Sequence, residues 1–114
     1  MRKEFNKIHG RIGEFDASEY LKKQNYKIID QNYKNKIGEI DIIAQKDKTI
    51  VFVEVKKRLT LQFSRPCEAV TPYKQNKIRK VAQLYLMQKK IDLPCRFDII
   101  EVLDEEINHI ENAF

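Results

Sequence analysis

The chain has 114 residues, 42% hydrophobic and 34% charged, with three Gly and three Pro. That length and balance predict one folded domain over residues 1–114 and exclude a disordered chain or a second sizeable core. Residues 1–96 hold all 22 Lys and Arg but only 11 of the 17 acids, a local excess of eleven positive charges inside an overall +5; such a surface attracts polyanions, nucleic acid first among them, unless the charge serves only solubility. Met1–Gly10 contains no apolar stretch long enough for a leader or a membrane span, so a cytoplasmic protein without a membrane partner is expected. Cys67 and Cys95 form no Cys-X-X-Cys pair, which argues against a zinc site or a redox motif.

From Phe5 to Gln24 the spacing predicts a helix with two stripes. Phe5, Ile8, Ile12 and Phe15 form one, expected in the core; exposed, it would suit a two-fold homodimer. Gly10, Glu14, Ala17 and Leu21 form the other, so Glu14 lies among small and apolar neighbours, and Gly13 predicts a close approach by another element. Tyr26–Ile29 reads as a strand resuming to Tyr33, Asn35–Gly38 as a turn, and Glu39–Ala44 and Thr49–Lys56 as a hairpin across the polar loop Gln45–Lys48. Leu59–Cys67 reads as a loop. Thr71 as N-cap and Pro72 at N1 start a helix to about Lys89, with Lys74, Ile78, Val81, Ala82 and Tyr85 on its core side. Arg96–Val102 is a strand and Ile107–Ile110 a short edge strand. The order helix, three strands, helix, strand predicts an α/β fold with helices packed on a sheet.

Chemistry concentrates in the hairpin. Alternation puts Glu39, Asp41 and Ile43 on one face of the first strand and Ile50, Phe52, Glu54 and Lys56 on one face of the second. A four-residue loop pairs Ala44 with Thr49, Asp41 with Phe52 and Glu39 with Glu54, which makes Asp41 and Glu54 diagonal neighbours able to share an ion. A slip of one residue would separate them onto opposite faces. A magnesium ion takes one or two carboxylates and keeps several waters, which suits Asp41 and Glu54 with the Val55 carbonyl. Lys56 on the same face would orient the attacking water or offset phosphate charge, and Glu14 would complete the set from the helix. As a bare triplet, Glu54-Val55-Lys56 equally fits the solvated edge of an amphipathic strand. Lys74 either reaches a phosphate or snorkels to solvent. Lys57, Arg58, Arg65, Lys77 and Arg79 either line a nucleic-acid track or form a solvated face. His9 and His109 lie away from these groups.

Gly10, Gly13-Glu14, Ala17, Tyr20-Leu21, Gly38-Glu39-Ile40-Asp41, Phe52-Val53-Glu54-Val55-Lys56 with Arg58, Glu68-Ala69-Val70, Lys74, Arg96-Phe97-Asp98 and Asn112-Ala113-Phe114 together resemble the YraN-like family of small bacterial proteins. The resemblance runs from about Gly10 to the last residue, with Ser64 standing where glycine is expected before Pro66. It implies a restriction-endonuclease-like core, a mixed sheet flanked by helices, similar to archaeal Holliday junction resolvases. It also implies Mg²⁺ or Mn²⁺ held by Asp41 and Glu54, catalysis by Lys56, support from Glu14, and DNA, branched or junction DNA included, as the substrate. A fold does not fix a function. A non-catalytic nucleic-acid-binding module, or a partner in a DNA-processing complex docked through the acidic tail, remain alternatives.

Overall fold

The computed structural model describes residues 3–58, 70–104 and 106–114, with side chains for all of these except residues 3–12 and 58. Among the described residues the elements are helix α1 (Lys3–Lys23), strands β1 (Lys27–Lys34), β2 (Glu39–Lys46) and β3 (Thr49–Arg58), helix α2 (Pro72–Lys89), and strands β4 (Cys95–Leu103) and β5 (Glu106–Ile110). The expected order is observed, and the loop expected over Leu59–Cys67 lies outside the described residues. The strands form one mixed sheet in the order β1-β2-β3-β4-β5, with β3 and β4 parallel and the other neighbours antiparallel. A parallel pair needs a crossover connection, and α2 lies within the one between β3 and β4. This architecture is compatible with a restriction-endonuclease-like core.

Each face of the sheet carries one helix. Ala17 and Leu21 of α1 pack with Ile42, Ala44, Val51, Val53, Ile100 and Val102. Ile78, Val81, Ala82 and Tyr85 of α2 pack with Ile40, Ile43, Ile50, Phe52 and Ile99. Covered on both sides, β3 reads as an unbroken apolar run, Ile50-Val51-Phe52-Val53. Helix α2 begins as expected, with Thr71 Oγ1 accepting from the Lys74 N–H at 3.2 Å and Pro72 just inside. Gly13 meets the predicted close neighbour: a Cβ there would lie 3.3 Å from Lys57 Cβ, so α1 approaches β3 where glycine leaves room. The expectation of a core stripe through Phe15 is corrected, because Phe15 is 63% exposed while Ala17 and Leu21 are sealed. The side of α1 that carries Ala17 and Leu21 meets the sheet and Phe15 turns away from it; the side chains of Phe5, Ile8 and Ile12 lie outside the described set.

The hairpin register differs from the expected one by two residues. Lys46 pairs with Thr49, Ala44 with Val51, and Ile42 with Val53, so the connection is the two-residue turn Asp47-Lys48. Asp47 adopts φ 53°, a left-handed conformation that aspartate tolerates, and its carbonyl accepts from Gln45 Nε2 at 2.9 Å. A shift of two preserves which face each side chain takes, so Asp41 moves from diagonal to Glu54 to directly ahead of it. The expected alternation through Asp41 also breaks. Ile40 and Ile43, three residues apart, both pack under α2, while Ile42 packs under α1. The strand rolls over at Asp41.

At the other side of the sheet, Asp98 of β4 is fully buried. Arg96 Nε and Nη2 donate to its two oxygens at 2.9 Å each, His109 Nε2 lies 2.7 Å away, and the Asn112 N–H donates at 3.1 Å. Burial opposes its charge, but these hydrogen bonds outweigh it and hold the Asp98 carboxyl below its usual pKa. On its other side, His109 Nδ1 lies within hydrogen-bond distance of Tyr20 Oη at 3.0 Å, which ties α1 to β5. Removing the carboxylate takes two hydrogen bonds from the half-buried Arg96, which keeps Tyr26 Oη at 2.6 Å and the exposed Glu111 at 3.1 Å, and leaves His109 Nε2 and the Asn112 N–H without their acceptor. Asp98→Ala is predicted to cost about 3–5 kcal/mol in urea unfolding at neutral pH; a loss below about 1 kcal/mol would show that the network carries little of the fold. Because the folded pKa is depressed, this contribution is present above the ordinary aspartate value and lost as pH falls through the folded one.

Candidate active site

The regular β2–β3 ladder ends at Ile42 and Val53. One step further, the Val55 N–H donates to Asp41 Oδ2 at 2.8 Å, so a side chain takes over where a backbone carbonyl would serve. The Glu54 carboxylate in turn receives a hydrogen bond from the Asp41 backbone. The two acids thus clasp one another's strands across the gap in which the ladder stops. The roll of β2 lets Asp41 enter that gap while Glu39 and Ile43 stay on the α2 side.

Both carboxyls resist ionisation. Burial is the largest cause at Asp41, and the charges of Glu14 and Glu39 add to it, against the Val55 hydrogen bond and the charge of Lys56. Glu54 is pushed up further, to about 8, by burial first and the Asp41 charge second, with Lys56 and the Asp41 backbone pulling the other way. Two acids that cannot comfortably ionise together next to one lysine form a site short of positive charge. The structure therefore brings Asp41, Glu54 and Lys56 into one electrostatic unit, and α1 carries Glu14 close enough for its charge to act on Asp41.

Paired carboxylates with raised proton affinity are hard oxygen donors, and a divalent ion such as Mg²⁺ needs one or two of them. Asp41 and Glu54 fit that donor set. Among the described residues no group of three or more His, Cys, Asp or Glu is gathered that could hold a metal ion.

Glu54 and Lys56 open onto a cleft of about 440 Å³ between the β1–β2 turn, β3 and α2. Lys74 and Lys77 line it, as the sequence reading allowed, and so do Lys34, Lys36 and Glu39, which that reading did not single out. The turn's lysines were hidden because turns are commonly polar; their role depends on α2 lying opposite, which local pattern does not encode. Lys57 does not face this cleft: it packs against Gly13 on the α1 side and its Nζ donates to the Asp104 carbonyl at 3.3 Å. The Arg79 guanidinium sits 5.4 Å from the centre of the Phe114 ring and does not line the cleft. The side chain of Arg58 and the whole of Arg65 lie outside the described residues.

Comparison with known proteins matches residues 13–102 to the family described as Uncharacterised protein family UPF0102. The chain is similar to UPF0102 proteins of Alkaliphilus oremlandii, at 53% identity over 96% of this chain and 99% of that one, and of Clostridioides difficile, at 48% over 96% and 98%. A UPF0102 protein of Caldanaerobacter subterraneus is 48% identical over the full length of both chains.

The strain at Glu54 has a measurable sign. Its folded pKa is raised, so above about pH 8 the folded protein carries a partly buried charge at a cost, and the cost fades as pH falls towards the ordinary value of 4.5. Glu54→Gln is therefore predicted to stabilise the protein in chelator at mildly alkaline pH by about 1–2 kcal/mol, a rise in Tm on the order of 5 °C. The advantage should shrink by about pH 5, and an unchanged or lower Tm at alkaline pH would remove the electrostatic argument.

Proposed function

This chain belongs to the UPF0102 family, the YraN-like proteins, and from that premise we propose that it is a metal-dependent endonuclease that hydrolyses phosphodiester bonds in DNA, branched or junction DNA included. The observation that carries the reading is the Asp41–Glu54 pair, half-buried and short of positive charge, with Glu54 and Lys56 on the wall of a lysine-lined cleft. Mg²⁺ or Mn²⁺ held by Asp41 and Glu54 would supply Lewis-acid polarisation of a phosphoryl oxygen.

The chain's own residues account for the remaining work. Lys74 and Lys77 on α2 attract the phosphates of the strand and hold it along the cleft. Lys56 places an ammonium where negative charge grows on the phosphoryl group, or orients the water that attacks it. The Val55–Asp41 hydrogen bond fixes the carboxylate before substrate arrives, which removes an ordering cost at the reactive moment. Glu14 adds negative charge near Asp41 and so favours a cation there.

A second reading draws on the same cleft. Lysines facing one groove, without a third convergent carboxylate among the described residues, also suit a module that binds nucleic acid without turnover. The two readings separate on plasmid and four-way-junction DNA incubated with Mg²⁺ or Mn²⁺. The nuclease reading predicts nicking or cutting that Glu54→Ala and Lys56→Ala each reduce by about a hundredfold or more. Equal cutting by those variants, or none by the parent protein, would sink it. Salt-sensitive binding that persists in Asp41→Asn without cleavage would favour the module.

A further inference from the structure

The cleft beside Glu54 has a feature that a path for phosphates does not need. Cations suffice to hold a backbone, yet here the lysines share the lining with an apolar patch, which we call the floor, of Ile37, half-buried in the turn, and Ile78, nearly buried on α2. A volume of about 440 Å³ is at the small end of the range that encloses a small molecule, on the order of one nucleotide, and is far too small to admit a duplex. An anionic group joined to a flat apolar ring is what such a lining matches.

The floor is also rigidly built. Asn35 Oδ1 accepts from the Ile37 N–H at 2.9 Å, the Asn35 N–H donates to the Gly38 carbonyl at 2.9 Å, and Asn35 Nδ2 reaches the Val81 carbonyl of α2 at 3.3 Å. Gly38 lets the turn press against the helix, because a Cβ there would lie 3.2 Å from Val81 Cγ2. Ile37 is thereby held in place before any ligand arrives, so little ordering cost is left for binding.

We propose that this cleft receives one unpaired nucleoside, its base on Ile37 and Ile78 and its flanking phosphates on the rim lysines, so that the preferred substrate presents a base outside the stack next to the cut bond. The inference rests on the phosphodiesterase reading above, since it is Glu54 and Lys56 that place the reacting phosphate at the same wall. A paired base cannot enter, because in a duplex its faces are stacked and its edge is bonded. Extrusion from the stack is unfavourable and is cheapest where the base is already unpaired.

Fluorescence anisotropy in chelator and moderate salt tests the pocket without cleavage, using three labelled DNAs: a continuous duplex, the same duplex with a single-nucleotide bulge, and that bulge made abasic. The bulge should bind about tenfold more tightly than either of the others. Ile37→Gln should lose that margin and Ile37→Leu should keep it, which separates loss of the apolar floor from loss of the fold. Equal affinity for the bulged and abasic DNAs, or a margin that Ile37→Gln leaves intact, overturns the proposal. Cleavage with Mg²⁺ or Mn²⁺ is scored separately. A base-dependent margin without any cutting upholds the pocket and removes the nuclease reading, while cutting without base dependence does the reverse.

Discussion

Much of this molecule follows from one hydrogen bond, the Val55 N–H to Asp41 Oδ2. A strand pair that stops pairing normally leaves backbone donors without partners, and a buried orphan costs about 1–3 kcal/mol. By accepting from Val55, the Asp41 side chain ends the ladder without that penalty, and the strands can part at a defined residue. The gap so made holds the two carboxylates and sets the end of β3 against the turn and α2. Asp41 is at once a structural cap for the sheet and half of the charged pair.

Among the described residues the sheet withdraws acid from solvent in two places, fully at Asp98 and partly at Asp41 and Glu54, with opposite results. Asp98 receives two donors from Arg96, one from His109 and one from Asn112, and its ionised form is favoured. Asp41 and Glu54 receive a backbone hydrogen bond each and the influence of Lys56, and their ionised forms are disfavoured. The chain can evidently satisfy a buried carboxylate completely when the fold requires it. That it leaves the other pair poorly compensated, with Glu54 on the wall of a cleft, is the strongest physical reason for reading that pair as functional.

Where sequence reading succeeded, the signal was local. Thr71-Pro72 marks a helix start because the N-cap hydroxyl and the missing proline N–H act within one turn of chain. Asp41, Glu54 and Lys56 could be expected near one another because a hairpin register shift of two keeps Asp41 opposite the same stretch of β3. What was not legible depended on distant contacts. The roll of β2 appears only when Ile40 and Ile43 are both seen under α2. Phe15 looked like a core residue because periodicity defines two stripes on α1 without saying which one meets the sheet. His109 looked isolated beside the acidic tail until β5 brought it onto Asp98 and Tyr20.

The parallel pairing of β3 with β4 has a consequence for the order in which the chain assembles. The β2–β3 hairpin closes through two residues, whereas Ile50 meets Cys95 only after α2 and its flanking segments have been laid down. A hairpin forms in about 1–10 microseconds and long-range pairing is slower, because more chain entropy is lost before any contact compensates. The two acids are therefore brought together by a local contact, whereas the parallel strand that completes the core around them needs a long-range one. Any cation able to sit between them would act on a nascent hairpin as well as on the finished protein.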